Sequence, residues 1–566
     1  MKLNRILPPK VFFVSILAAF LLLCASCSWW KGEEKSPGDG ALGGALLKRL
    51  PPNTLFFVTT NTSLNSYKLL RQSPFFSSSM NFSRAFEDAL KTGLGQEGIE
   101  DTSVDIINLL KKSGVLLSSD QAEDVFEEIV TFGVPIGDKL EIGVFASAAS
   151  KKDLQNSLPL LIEAFRKLGT EAQEEFFDEI KGFKLNLQEK DNLGLFQYAY
   201  AASTKDFMVV STNKEIAVEF LKNSKVSEPP EFKQNPIFQE AIKGVPNLND
   251  SYAAGFLDLK RLMETLSKAP ELKDTLEDLR NIPFDGAVFA STFQNHLSTD
   301  LSLLARPNVP EAEKWLNPLS MQSTHPFISR FPSSVFLYLG LNGKAFSKSL
   351  DISSESGLNT GETLSSEEKN NLKDVAIALE LSRSGSPFPD IVVAAETEEP
   401  QSLLISIERT LSGLLELTGL QLGQWSTKKI NDREARFINS PMGIGIFLAT
   451  ADKSVLLSSS ETALKNALQS IDSKSGGLLK KLGSSTQTYI EKNQPCLLLH
   501  VDFRKVGELL ESLEGTLAAF SGGNSQFDKK RIEDLKQTGL LSLSAVYTTP
   551  LLKIHSELLP HQKDEK

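Results

Sequence analysis

The sequence predicts an α+β fold: two tandem homologous domains, each a largely antiparallel sheet with helices packed on one face. Two observations carry this. Five blocks recur in one order along the two halves of the chain, and strand-like runs follow one another across short loops, which favours antiparallel pairing. The repeat is too long for a solenoid and reads as two domains.

The first block is Pro52-Asn-Thr-Leu-Phe-Phe-Val-Thr59 against Pro332-Ser-Ser-Val-Phe-Leu-Tyr-Leu339, each a Pro, two small polar residues and a strand. Glu141-Ile-Gly-Val-Phe-Ala then matches Asp390-Ile-Val-Val-Ala-Ala. An amphipathic helix follows in both copies, with Leu154, Leu158, Leu161, Ile162, Phe165 and Leu168 on one face in the first and Leu403, Ile407, Leu411 and Leu414 in the second. Three strands come next, at Phe183-Lys-Leu-Asn-Leu, Leu195-Phe-Gln-Tyr-Ala-Tyr and Phe207-Met-Val-Val in the first copy. The last of these matches Ser454-Val-Leu-Leu, and its polar tail suits the cap of a following helix. Leu257-Asp-Leu-Lys-Arg-Leu-Met-Glu matches Val501-Asp-Phe-Arg-Lys-Val-Gly-Glu, which makes Asp258 and Asp502 expected N-caps. Leu301 to Pro307 and Ile554 to Pro560 close the copies.

The opening blocks lie 280 residues apart and the later ones 244 to 253, so the first copy carries an insertion of about 30 residues between Tyr67 and Leu140. Phe86-Glu-Asp-Ala-Leu and Val125-Phe-Glu-Glu-Ile-Val within it read as helical, giving a helical insertion at about 75–135. The expected boundaries are 1–26 for a leader, 27–49 for a flexible tether rich in Gly and charge, 50–306 for the first domain, 307–329 for a Pro-rich linker, 330–560 for the second domain and 561–566 for a polar tail.

The leader has Lys2, Arg5 and Lys10, then an apolar run of thirteen residues from Val11 to Leu23, broken only by Ser15, then Ala25-Ser26 before Cys27. The apolar run falls short of the ~20 residues of a membrane-spanning helix, and a single-pass anchor is the lesser reading. The segment resembles a bacterial lipoprotein signal, although Cys24 stands where such signals usually carry Leu. That resemblance implies cleavage before Cys27, acylation of Cys27 and, with Ser28 rather than Asp following, sorting to the outer membrane facing the periplasm. From residue 50 onward, Leu50-Pro-Pro-Asn-Thr and the order of elements resemble an uncharacterised family of exported bacterial proteins opening with Leu-Pro-x-Asp/Asn-Thr. The family implies no catalytic residues.

Sixty basic residues against 71 acidic ones give a net charge of −11, and without the leader's three basic residues the remainder stands at −14. An acidic surface repels nucleic acid at long range, so nucleic acid is not an expected partner. Beyond Cys27 only Cys496 remains, in an apolar strand, and it reads as a buried inert thiol. Metalloprotease, phosphate-loop, EF-hand and nucleophile-elbow motifs are absent, and no cofactor, metal or catalytic residue is expected. The one constellation to weigh is His500-Val-Asp502, where alternation puts a base and a carboxylate on one strand face, with capping as the plainer role of Asp502. His555, alternating with Lys553 and Glu557, reads as solvent-exposed.

Three functions follow as expectations. A non-enzymatic envelope lipoprotein, held to the membrane by its lipid, would bind an envelope protein partner. A periplasmic carrier would enclose an apolar ligand such as lipid, for which 35 Phe supply lining. An unrecognised hydrolase would rest on His500.

Overall fold

The computed structural model describes residues 40–72, 126–137, 139–148, 153–167, 170–186, 198–222, 231–246, 248, 250–268, 282–306, 316–348, 364–382, 386, 388–417, 424–439, 445–473, 477–521 and 529–560. The chain divides into two compact units, 1–309 and 310–566.

In the first unit the strands are β1 (Phe56–Asn61), β2 (Phe126–Ile136), β3 (Lys139–Ala148), β4 (Ala172–Phe177), β5 (Ile180–Asn186), β6 (Tyr198–Ser203), β7 (Phe207–Ser211), β8 (Ala253–Asp258), β9 (Phe284–Phe293) and β10 (Leu297–Ala305). They pair antiparallel in the order β4-β5-β6-β7-β3-β2-β1-β8-β9-β10. Its helices are α1 (Asn65–Gln72), α2 (Leu154–Lys167), α3 (Lys214–Lys222), α4 (Pro236–Ala241) and α5 (Leu259–Leu266).

The second unit has β11 (Val335–Asn342), β12 (Leu372–Glu380), β13 (Asp390–Thr397), β14 (Ser426–Ile430), β15 (Arg433–Asn439), β16 (Gly445–Ala451), β17 (Ser454–Ser458), β18 (Leu497–Asp502), β19 (Leu540–Thr548) and β20 (Leu551–Leu559). Their order is β14-β15-β16-β17-β13-β12-β11-β18-β19-β20, again all antiparallel, and it repeats the first unit strand for strand. Its helices are α6 (Pro326–Arg330), α7 (Ser366–Asn371), α8 (Pro400–Leu417), α9 (Glu461–Ser473), α10 (Ser484–Asn493), α11 (Phe503–Ser521) and α12 (Lys529–Thr538). The α+β class and the antiparallel sheets agree with the sequence reading.

The ladders also repeat in register. Phe56 faces Leu257 as Leu337 faces Val501, and Asn61 faces Glu128 as Asn342 faces Asp374. The opening offset is therefore 281, one more than the sequence match suggested. The chain runs 64 residues between Asn61 and Phe126 but 29 between Asn342 and Leu372, which narrows the insertion to the β1–β2 connection.

Several expectations are corrected. Helices cover both sheet faces, not one. Ala376, Ala378, Val392, Ala394 and Leu456 pack under α6, α9 and α10, while their neighbours Val375 and Val455 pack on the other face with Leu403 and Leu404 of α8. Four strands, not three, follow the long helix, because Ala172–Phe177 pairs with β5 as an edge strand. Val125-Phe-Glu-Glu-Ile-Val is not helical. From Phe126 it is strand β2, whose alternate residues Phe126, Glu128, Val130 and Phe132 are buried, a period of two obscured by an acid on the buried side and Ile129 on the other. Phe86-Glu-Asp-Ala-Leu lies outside the described residues.

The tether and the linker are both shorter than expected. Ala41, Leu42, Leu46, Leu47 and Leu50 are at most 4% exposed and belong to the first core, so residues 41–50 form an arm of the first unit. Leu316, Phe327, Ile328 and Phe331 are likewise buried, so 316–331 is the corresponding arm of the second unit. Pro326 starts a short helix there at N1, where a missing N–H costs nothing. Glycine and proline counts signalled loop in both segments. The apolar residues among them, spaced four apart in Leu42, Leu46 and Leu50 and in Phe327 and Phe331, carry the packing.

Local rules hold elsewhere. Asp258 Oδ1 accepts the Arg261 N–H at 3.0 Å and Asp502 Oδ1 the Lys505 N–H at 3.3 Å, so both are the caps the sequence indicates. The β14–β15 turn sets Asn431 and Asp432 at φ 48° and 60°, as the right-handed twist of a two-residue hairpin requires.

Candidate functional site

Strand alternation and helical spacing meet at one place in the second unit. Val375 of β12, Val393 and Ala395 of β13, and Val455 and Leu457 of β17 stand in register on the same sheet face. Across from them α8 presents Leu403, Ile407 and Leu411, four residues apart, with Thr410 beside them. Phe346, Leu364 and Leu372 complete the lining of an apolar cavity of about 240 Å³, in which Thr410 is the only polar one among the described residues. An engineered apolar cavity of ~150 Å³ stays dry and binds benzene, so this one has room for a stretch of alkyl chain.

Polar contacts at the helix edges hold the cavity's roof. Glu408 of α8 pairs with Arg436 of β15, and Trp425 Nε1 donates to Ser412 Oγ at 2.9 Å. Toward its other end, Ser402 and Ser406 of α8 donate to Glu368 of α7. The roof is thus clamped at both ends while its middle is aliphatic.

The cavity floor continues beyond α8. Ile377, Leu379 and Ile391 extend the same face, then Leu337, Leu339 and Leu341 of β11, Leu497, Leu499 and Val501 of β18, and Leu541 and Leu543 of β19. All are only partly buried, and Ile391 is 42% exposed. The first unit differs at the same register positions. Thr131 and Gly133 stand for Ile377 and Leu379, Gly255 and Ala253 for Leu499 and Leu497, Ala287 for Leu541, and Thr60 for Leu341. The Phe56 ring lies over Gly133 and the Phe289 ring over Gly255, where any Cβ would collide.

The sequence-predicted constellation does not form a reactive site. His500 is fully buried, with Nδ1 3.3 Å from Ser542 Oγ and no partner for Nε2 among the described residues. Burial lowers its pKa to about 4, so the ring is neutral at physiological pH. Asp502 serves the helix instead. The matching pair in the first unit is Phe256 and Val288, so His500 and Ser542 occupy an apolar packing position. His555 is corrected from exposed to buried: it stacks on Tyr489 with ring centroids 4.7 Å apart, and Glu557 beside it accepts the Thr486 N–H at 3.1 Å. The strand alternation was right, but its polar-looking side faces helix α10.

Cys496 is buried as expected, its Sγ 3.3 Å from the Pro318 carbonyl, and burial pushes the thiol up to about 11. No group of His, Cys, Asp and Glu among the described residues is arranged to hold a metal ion. No helix among them is long and apolar enough to cross a membrane. Cys27 lies outside the described residues.

Sequence reading missed the cavity, the buried carboxyl of Glu128 and the half-buried one of Asp374. The signal for the cavity was present in the aliphatic runs of β12, β13 and β17, but which helix would stand over them was not. Glu128 could have been found as an acid on the apolar face of an alternating strand.

No family model matches this chain, and no curated protein matches it. Among solved structures the chain is similar to TP0453 in crystal forms III, IV and I, at 13%, 12% and 11% identity, with TM-scores of 0.23, 0.23 and 0.22. Those similarities cover 48%, 48% and 49% of this chain and 86%, 85% and 81% of that one.

Proposed function

We propose that the chain is an exported lipoprotein, anchored by a lipid on Cys27, whose second unit binds the alkyl chain of an apolar ligand. The observation that carries the binding is the cavity under α8, lined among the described residues by twelve side chains of which eleven are apolar. Its aliphatic floor runs out across β12 and β11, which suits a chain longer than the cavity. On this reading the two units descend from one duplicated domain. The first keeps the sheet, with small and polar residues on that face, and the second is the carrier. The membrane partner is engaged through the lipid, and the periplasmic side of the outer membrane is the expected location.

The test is titration of the purified chain with fatty acids of increasing length, read by displacement of a fluorescent fatty acid. Affinity rising with chain length supports the reading, and no displacement at any length removes it. A protein-binding role has one observation in its favour, the exposed Phe388 and Ile391 at the start of β13, 60% and 42% exposed. Crosslinking in intact cells that recovers a partner through this edge would favour it.

A further inference from the structure

Each unit holds its N-terminal arm with a carboxyl group at the same place in its sheet. Glu128 of β2 lies opposite Asn61, and Asp374 of β12 lies opposite Asn342. Glu128 is 2% exposed. Its Oε2 accepts the Leu46 N–H at 3.0 Å, and its Oε1 rests against Gly44, where a Cβ would sit 1.9 Å away. Asp374 accepts a hydrogen bond from the Ser323 hydroxyl, and Ser323 Oγ in turn accepts the His325 N–H at 3.0 Å. Leu46 and Ser323 belong to the two arms, residues 41–50 and 316–331. Neither carboxyl was marked by any sequence motif, and neither touches the cavity.

We infer that Glu128 and Asp374 are a matched pair of clasps, each closed on its arm when the carboxyl is protonated and loosened when it ionises. A carboxylate taken from water against backbone and apolar side chains loses hydration, and the Ala45, Leu46 and Leu47 N–H groups at Glu128 and the Ser323 hydroxyl at Asp374 replace only part of it. The surroundings of each group are mixed in charge. Arg49 of the arm and Glu127 of β2 act on Glu128, while Arg330 of α6, Lys373 of β12 and Glu396 of β13 act on Asp374. Tyr338 of β11 and Cys496 before β18 feel Asp374 but are themselves neutral at physiological pH. Burial outweighs these neighbours, raising Glu128 to about 7 and Asp374 to about 6.

The sign follows from proton linkage. Both groups bind protons more tightly with the arm docked than with it free, so docking is strongest below the ordinary carboxylate range. It weakens as pH rises through about 6 for Asp374 and about 7 for Glu128. Release of the first arm would add ten residues, roughly 35 Å of extended chain, to the connection that precedes the first unit.

Hydrogen exchange read by mass spectrometry, corrected for the intrinsic pH dependence of exchange, tests both clasps in the full chain. Protection of 41–50 should fall about tenfold between pH 6 and pH 8, and that of 316–331 about tenfold between pH 5 and pH 7. Glu128→Gln should flatten the first profile and leave the second, and Asp374→Asn the reverse. Arms whose corrected protection does not change with pH would overturn the inference. So would a Glu128→Gln chain that loses protection equally at every pH, since that marks a structural hydrogen bond only. Should either variant fail to fold, the two wild-type profiles and the one-unit gap between them decide alone.

Discussion

Among the described residues the two units share ten strands in one order and register, yet they use the same sheet face differently. In the first unit that face carries Gly133, Gly255, Thr131 and Ala287, with the Phe56 and Phe289 rings filling the space a side chain at the glycines would need. In the second the same positions carry Leu379, Leu499, Ile377 and Leu541, and a cavity opens beside them under α8. The opposite faces are alike. Phe57 and Tyr338 occupy equivalent central places, each fully buried under helices and an arm. The two sheets thus share one face, packed for stability, and differ on the other, as expected where binding residues sit on a rigid frame.

The comparison can be broken most sharply at the cavity. Ala395→Phe should fill it and abolish alkyl-chain binding, whereas Ala146→Phe, at the matching place in the first unit, should leave binding intact. Displacement of a fluorescent fatty acid reads both, and equal losses would erase the distinction between the units. The shared core offers the next largest effect. Phe57→Ala should cost ~3–5 kcal/mol, because it removes a fully buried ring that contacts Phe232, Phe238 and Phe256. Denaturant unfolding followed separately for each unit should show the loss in the first alone.

Exchanging His500 and Ser542 for the first unit's Phe and Val should leave the second unit as stable or more stable by about 1 kcal/mol, since an unpartnered buried ring nitrogen disappears. The swap should also change its acid response. The lowered pKa of His500 means that its share of stability is present above the ordinary histidine value of 6.5 and is lost as pH falls toward about 4. Acid unfolding of the double variant should therefore begin at lower pH. The smallest effect belongs to the caps. Asp258→Ala should cost somewhat more than the ~1 kcal/mol expected at Asp502, because Asp258 also accepts from Asn235 Nδ2 at 2.9 Å.

Much of this fold was legible in the residues. Strand alternation, the amphipathic spacing of α2 and α8, the two capping aspartates and the buried Cys496 followed from local rules, and the block order anticipated the repeated topology. What escaped reading depended on tertiary neighbours. Residues 41–50 looked like part of a leash because glycine and charge crowd the stretch just before them, yet five apolar side chains seat them in the core. Strand β2 looked helical because Glu127 and Glu128 interrupt its apolar run, and only the docked arm explains an acid on the buried face. His555 looked solvated because the helix that covers it comes from 62 to 71 residues upstream. The aliphatic runs of β12, β13 and β17 were visible, but the cavity itself was not, since it exists only where α8 stands over all three strands.

Native mass spectrometry of the full chain bearing Cys27→Ala, purified without detergent, tests the central claim most directly. The account predicts a population carrying one alkyl ligand, retained in Ala146→Phe and missing in Ala395→Phe. A single mass equal to that of the bare polypeptide in all three proteins, unchanged after incubation with long-chain fatty acid, would contradict it.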